Sequence, residues 1–139
     1  MTLAASDQHY DLIVLDAFSS DTIPVHLLTR EAFTGYLSRL SPHGVVVFHI
    51  SNRHLDLPPV IAADAAAESL AAVFKGDDRA NDLMTDYRAN ALVAVLARNA
   101  GNLGDLPKHP GWVRIKPDRV SAWTDDYSNV IGALLRQKL

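Results

Sequence analysis

Residues 10–21 read YDLIVLDAFSSD, and the fold turns on how this stretch is understood. Leu12 to Leu15 form an unbroken apolar run bounded by Asp11 and Asp16, the pattern of a strand covered on both faces in a parallel sheet. The run ends on a carboxylate. It then gives way to small polar residues and a second acid, Asp21, which marks a loop at the strand's carboxyl end.

Downstream, LLTREAFTGYLSRL sets Leu28, Ala32, Phe33, Tyr36, Leu37 and Leu40 at helical spacing, with Thr29 as N-cap. Pro42 and Gly44 in SPHG predict the end of that helix and a turn. VVVFHI (Val45 to Ile50) predicts a second buried strand, and Pro58 and Pro59 open an alanine-rich helix reaching about Leu70. AAVFKG is a weaker strand candidate, and GDDRANDLMTDYRAN reads as a long loop or partial helix. ALVAVLARN (Ala91 to Asn99) reads as a strand from its valines and position, GNLGDLPKHPG as loop or short helix, WVRIKP as a last strand and TDDYSNVIGALLRQKL as a helical tail. Alternating strands and helices predict an α/β sheet, in which ligands bind beyond the carboxyl ends of the strands. Asp16 and the segment FHISNR share that rim.

The 139 residues suit one domain. With 48% hydrophobic and 21% charged residues the chain has an ordinary globular composition, and a net charge of −3 gives no basic footprint for nucleic acid. A small cationic ligand fits that balance better. Cysteine is absent, which excludes disulfides, thiolate metal sites and a cysteine nucleophile and fits a reducing compartment. No apolar run approaches the ~18 residues of a membrane span, and MTLAASDQHY lacks the basic and apolar regions of a leader, so the expected location is cytoplasmic.

Three groups of residues can carry chemistry. Asp16 and Asp21 could hold a cationic amine, one accepting a proton while the other orients the substrate; equally, they could be turn formers. His49, Ser51, Asn52, Arg53 and His54 follow the second strand. The two histidines, five apart, have no third ligand at a recognisable spacing, so no metal site is expected. Ser19, Ser20 and Ser51 lack a G-x-S-x-G setting, so a hydrolase using His49 or His54 has no evident nucleophile. WTDDYSN (Trp123 to Asn129) offers Asp125, Asp126 and Tyr127, either as a flap completing an acidic, aromatic pocket or as the capped start of a short helix. Glycines at 35, 44, 76, 101, 104, 111 and 132 never form G-x-G-x-x-G, and there is no Walker A lysine.

Taken in order, YDLIVLDAFSSDTIPVHLLTREAF, LSPHGVVVFHISNRHLDL and WTDDYSN resemble the spermidine synthase-like (polyamine aminopropyltransferase) proteins, which have the class I S-adenosylmethionine-dependent methyltransferase fold. The resemblance matches the second half of that Rossmann-like sheet, without its first strands and glycine-rich loop. It implies Asp16 as base or amine anchor, Asp16 and Ala17 on the donor side, and Asp21 as a second amine contact. Ala17 and Phe18 stand before SSD, a departure from the family's D-S-S-D-P. His49, Ser51 and Asn52 fall where the next strand lines the pocket, in place of a glutamine-containing pattern. Asp125, Asp126 and Tyr127 complete the substrate side. The donor would be decarboxylated S-adenosylmethionine or S-adenosylmethionine. The expectation is a truncated domain that binds no cofactor on its own and is inactive alone. Its first strand would be an exposed apolar edge, covered by a second copy in a homodimer. The competing expectation is a non-catalytic oligomerising module.

Overall fold

The structure, a computed structural model, describes residues 3, 6–17, 24–51, 55–76, 92–117 and 120–137. Among them the chain runs β1 (Tyr10–Leu15), a 3-10 turn (Val25–Leu27), α1 (Arg30–Arg39), β2 (Leu40–His49), α2 (Pro58–Ala67), β3 (Ala71–Gly76) and β4 (Leu92–Ala97). Two further 3-10 turns (Ala100–Leu103 and Leu106–Lys108), β5 (Trp112–Val113) and α3 (Val130–Gln137) complete it. Asp21, Asn52, Arg53, His54 and, after Gly76 at the end of β3, the rest of the loop expected over GDDRANDLMTDYRAN lie outside the described residues.

The sheet order is β1-β2-β4-β3-β5, with β1 and β2 parallel and every other pair antiparallel. Strands β1, β2 and β3 therefore point the same way, and β4 is inserted between β2 and β3 in the opposite sense. This is a mixed, open α/β sheet, consistent with a partial Rossmann-like fold. The parallel reading of the first two apolar runs agrees with the pairing of β1 and β2; LVAVLA, equally apolar, runs antiparallel to both its neighbours and is apolar because it is central.

One face is sealed. The side chains of Ile13, Val46, Phe48, Ile50, Phe74, Ala94 and Leu96 meet Phe33 and Tyr36 of α1, Val60 and Ile61 of α2, Ala133 of α3 and the fully buried Trp123. Phe33 stacks on Phe48 with centroids 5.3 Å apart. Thr29 caps α1 as its sequence implies, its hydroxyl accepting from Ala32 N at 3.3 Å, and Arg98 closes the other end by donating to the carbonyls of Leu37 and Leu40. Helix α2 stops at Ala67 rather than near Leu70. Leu70 N donates to Ala65 O and Ser69 N to Ala66 O, with Ser69 at φ 57, a Schellman closure made by serine where glycine is usual.

The other face is covered only in part. Leu103, Leu106 and Trp112 pack on Val73, Val95 and Ala97, but on β1 Leu12 and Val14 are 55% and 58% exposed. The expectation that β1 is covered on both faces is therefore corrected, since its inward row is Ile13 and its outward row has no cover among the described residues; its place at the edge of the sheet agrees with the exposed apolar edge expected of it. SPHG is also not a turn. It lies within β2, at an irregularity where Tyr10 pairs with Leu40 and Leu12 with Val45. There a Cβ on Gly44 would come within 2.9 Å of Tyr10 O and 3.0 Å of Asp11 O, so the close approach of β1 needs glycine. The strand predicted over WVRIKP shortens to Trp112 and Val113, which pair with the end of β3.

Candidate functional site

Alternation along two adjacent strands builds the site. In the β1 and β2 pair Leu12 lies beside Val45, Val14 beside Val47 and Leu15 beside Phe48. The next row brings Asp16 beside His49, on the same open face as Leu12, Val14, Val45 and Val47. Ser51, two residues after His49, keeps that face. The result is a continuous hydrogen-bonded line: His49 Nδ1 is 2.7 Å from Asp16 Oδ1, and Ser51 Oγ is 2.8 Å from His49 Nε2. Leu92 N donates to Ser51 Oγ at 2.9 Å, while Ile50 N donates to Leu92 O at 2.8 Å. Strands β1 and β2 thus supply the side chains, and the start of β4 fixes the inner end.

An acid, histidine and serine joined in this way can in principle activate a serine nucleophile. Exposure runs the wrong way for that. Ser51 is 8% exposed, whereas the side chains of His49 and Asp16 are 34% and 64% exposed. A nucleophile must meet its substrate and its acid must be sheltered; here the carboxylate is the open end and the hydroxyl the sheltered one. The arrangement is suited to presenting a braced carboxylate to a cation or to a proton donor. Ala17 is exposed immediately beyond it.

Asp125 lies in a different cluster. Thr29 Oγ1 donates to Asp125 Oδ1 at 2.7 Å and Asp125 N donates to Glu31 Oε2 at 3.0 Å, which binds the 123–129 segment to the N-terminus of α1. Trp123 O accepts from Arg30 N, and Thr124 and Tyr127 form a small bridge. A groove of about 800 Å³ runs along α1, lined by Val25, Thr29, Gly35, Tyr36, Thr124 and Asp125 among others. Its lining does not include Asp16, His49, Ser51, Asp126 or Tyr127. Its two carboxylates, Glu31 and Asp125, are already engaged with protein groups. Neither Asp125 nor Asp126 caps α3; Asn129 does so through Oδ1, which accepts from Gly132 N at 2.8 Å.

Asp64 is an acid whose importance sequence reasoning missed. It is fully buried within α2 and accepts from Trp123 N at 2.9 Å through Oδ1. Among the described residues neither Asp64 Oδ2 nor Trp123 Nε1 has a hydrogen-bond partner. Burial pushes the Asp64 carboxyl up to about 8, against the lowering effects of the Trp123 amide and of Arg30. Its one signal is a single acid inside PPVIAADAAA; the partner, 59 residues on, is invisible at that level. No group of three or more His, Asp or Glu side chains among the described residues could hold a metal ion, and no described helix is long and apolar enough to cross a membrane.

No family model matches the chain. Among curated proteins it is similar in part to the probable polyamine aminopropyl transferase of Bifidobacterium longum (strain NCC 2705), 41% identical over 49 residues. The match spans 35% of this chain and 11% of that protein's length.

Proposed function

We propose that this chain carries the amine side of an aminopropyl transfer site, in which Asp16 anchors the ammonium group of a small amine and takes its proton. The observation that carries this reading is the outward-facing Asp16 carboxylate braced from behind by His49 and Ser51. The partial similarity to a probable polyamine aminopropyl transferase supports the same chemistry. The proton leaves nitrogen for the Asp16 carboxylate. The freed lone pair attacks the carbon next to the donor's sulfonium, the carbon–sulfur bond breaks, and its electron pair stays on sulfur as a thioether. Asp21, Asn52, Asp126 and Tyr127 are further amine-side contacts in this proposal, and Ala17 borders the donor.

On this reading the chain's own residues supply the amine side of the site. Isothermal titration with putrescine, methylthioadenosine and decarboxylated S-adenosylmethionine tests it. Putrescine is expected to bind the wild-type chain and not Asp16→Asn, with weak or absent nucleoside binding. Putrescine heats that survive Asp16→Asn contradict it.

The exposed row Leu12 and Val14 on an edge strand favours a second reading, an oligomerising module. Two β1 edges paired antiparallel about a two-fold axis would satisfy each other's free backbone groups and set their Leu12 and Val14 rows side by side. Light scattering with hydrogen exchange tests this: a dimer with protected Leu12 and Val14 amides is expected, and a monodisperse monomer with both amides exchanging fast contradicts it.

A further inference from the structure

The line Asp16, His49, Ser51 and Leu92 N has a direction set by its partners. An ionised Asp16 has no proton to give, so the 2.7 Å contact requires His49 Nδ1 to carry the hydrogen. Ser51 Oγ already accepts the Leu92 amide hydrogen, and its own hydroxyl proton is directed to His49 Nε2 at 2.8 Å. A neutral ring in this setting has one tautomer, Nδ1–H. Free histidine prefers the other, so the protein must hold this one in place. Rigidity passes outward from the backbone of β4, through a nearly buried hydroxyl and a half-buried ring, to an exposed carboxylate that would otherwise rotate freely.

We infer that His49 is the positioning residue of the amine site: kept in the Nδ1–H form by the Asp16 carboxylate on one side and the Ser51 hydroxyl on the other, it fixes Asp16 through Oδ1 and leaves Oδ2 turned to the incoming amine. This rests on the reading of Asp16 given above and assigns the work of presentation to two residues that do not touch the reacting atoms. Among the described residues Oδ2 has no hydrogen-bond partner, so nothing there competes with an ammonium group. Every polar group of the Ser51 side chain is spent on this line: its oxygen accepts from Leu92 N, its proton goes to the ring, and its burial keeps substrate away.

The test uses the full 139-residue chain, labelled with nitrogen-15, and reads the His49 ring nitrogens by long-range proton–nitrogen spectra where the ring is neutral. The wild type is expected to show the Nδ1–H tautomer. Ser51→Ala lowers the ratio of Nδ1–H to Nε2–H by about tenfold, the upper range for one net hydrogen bond, and Ser51→Thr restores it. Circular dichroism of each variant controls for folding, and the Thr variant keeps the test decisive if Ser51→Ala unfolds. Putrescine then shifts the ring signals saturably in wild type, and binds about tenfold more weakly to folded Ser51→Ala. A wild-type ring in the Nε2–H form, or a ratio unchanged in Ser51→Ala, overturns the inference. The Nδ1–H pattern with no response to putrescine supports the bracing of Asp16 by His49 while overturning the amine-site reading, so the two failures are distinguishable.

Discussion

The two faces of this sheet treat a carboxylate in opposite ways. On the helix-covered face Asp64 is fully buried, receives one backbone hydrogen bond from Trp123, and is pushed up to about 8. On the open face Asp16 is mostly exposed and held by a hydrogen bond from His49. The first acid closes the fold by tying the segment around Trp123 to α2. The second is left available, which is what a binding or proton-accepting group requires. Burial alone is thus a poor guide to chemistry here: the buried acid ties two segments of the fold together.

Truncating the covered face should have the largest effect. Trp123→Ala and Phe48→Ala each remove a fully buried aromatic side chain and should cost about 3–5 kcal/mol in urea unfolding. Val14→Ala on the open face should cost under about 1 kcal/mol. Equal losses at Phe48 and Val14 would mean that β1 is covered in solution.

The next effect is the pH dependence of Asp64. In the folded state its carboxyl is raised from the ordinary carboxylate range to about 8, so folding holds the proton more tightly and stability falls as pH rises through that window, then levels off. The loss should be on the order of a few kcal/mol, and Asp64→Asn should flatten this part of the profile while keeping an acceptor for Trp123 N. Parallel curves for wild type and Asp64→Asn would remove the contrast between the acids. Gly44→Ala should cost about 1–3 kcal/mol, because its methyl group meets two backbone carbonyls of β1; a neutral result would mean β1 is loosely held.

Much of the framework is legible from residues alone. Thr29 stands out as a cap because its hydroxyl and the Ala32 amide it accepts from are three residues apart, and VVVFHI stands out as a strand because its run is too short for a buried helix. The errors fall where information is non-local. SPHG has turn chemistry, yet it continues β2 because the backbone of Tyr10 and Asp11 runs against Gly44. Asp16, His49 and Ser51 are each visible as rim residues, but only the register of β1 on β2 joins them. The acids of WTDDYSN carry no sign in their own sequence that Asp125 meets Thr29, 96 residues earlier.

The smallest stability effect tests the open face from outside. Leu12→Lys should change unfolding free energy by no more than about 0.5 kcal/mol while abolishing any concentration-dependent association detected by light scattering. A large destabilisation of the monomer would show that Leu12 is packed by its own chain.

In the proposed site Asp16, and not the buried acid, receives the amine. Carbon-13 detection of the side-chain carboxyl groups during titration with putrescine addresses this most directly. A saturable shift at Asp16 with none at Asp64 is expected; a silent Asp16, or a shift at Asp125 in its place, would contradict it.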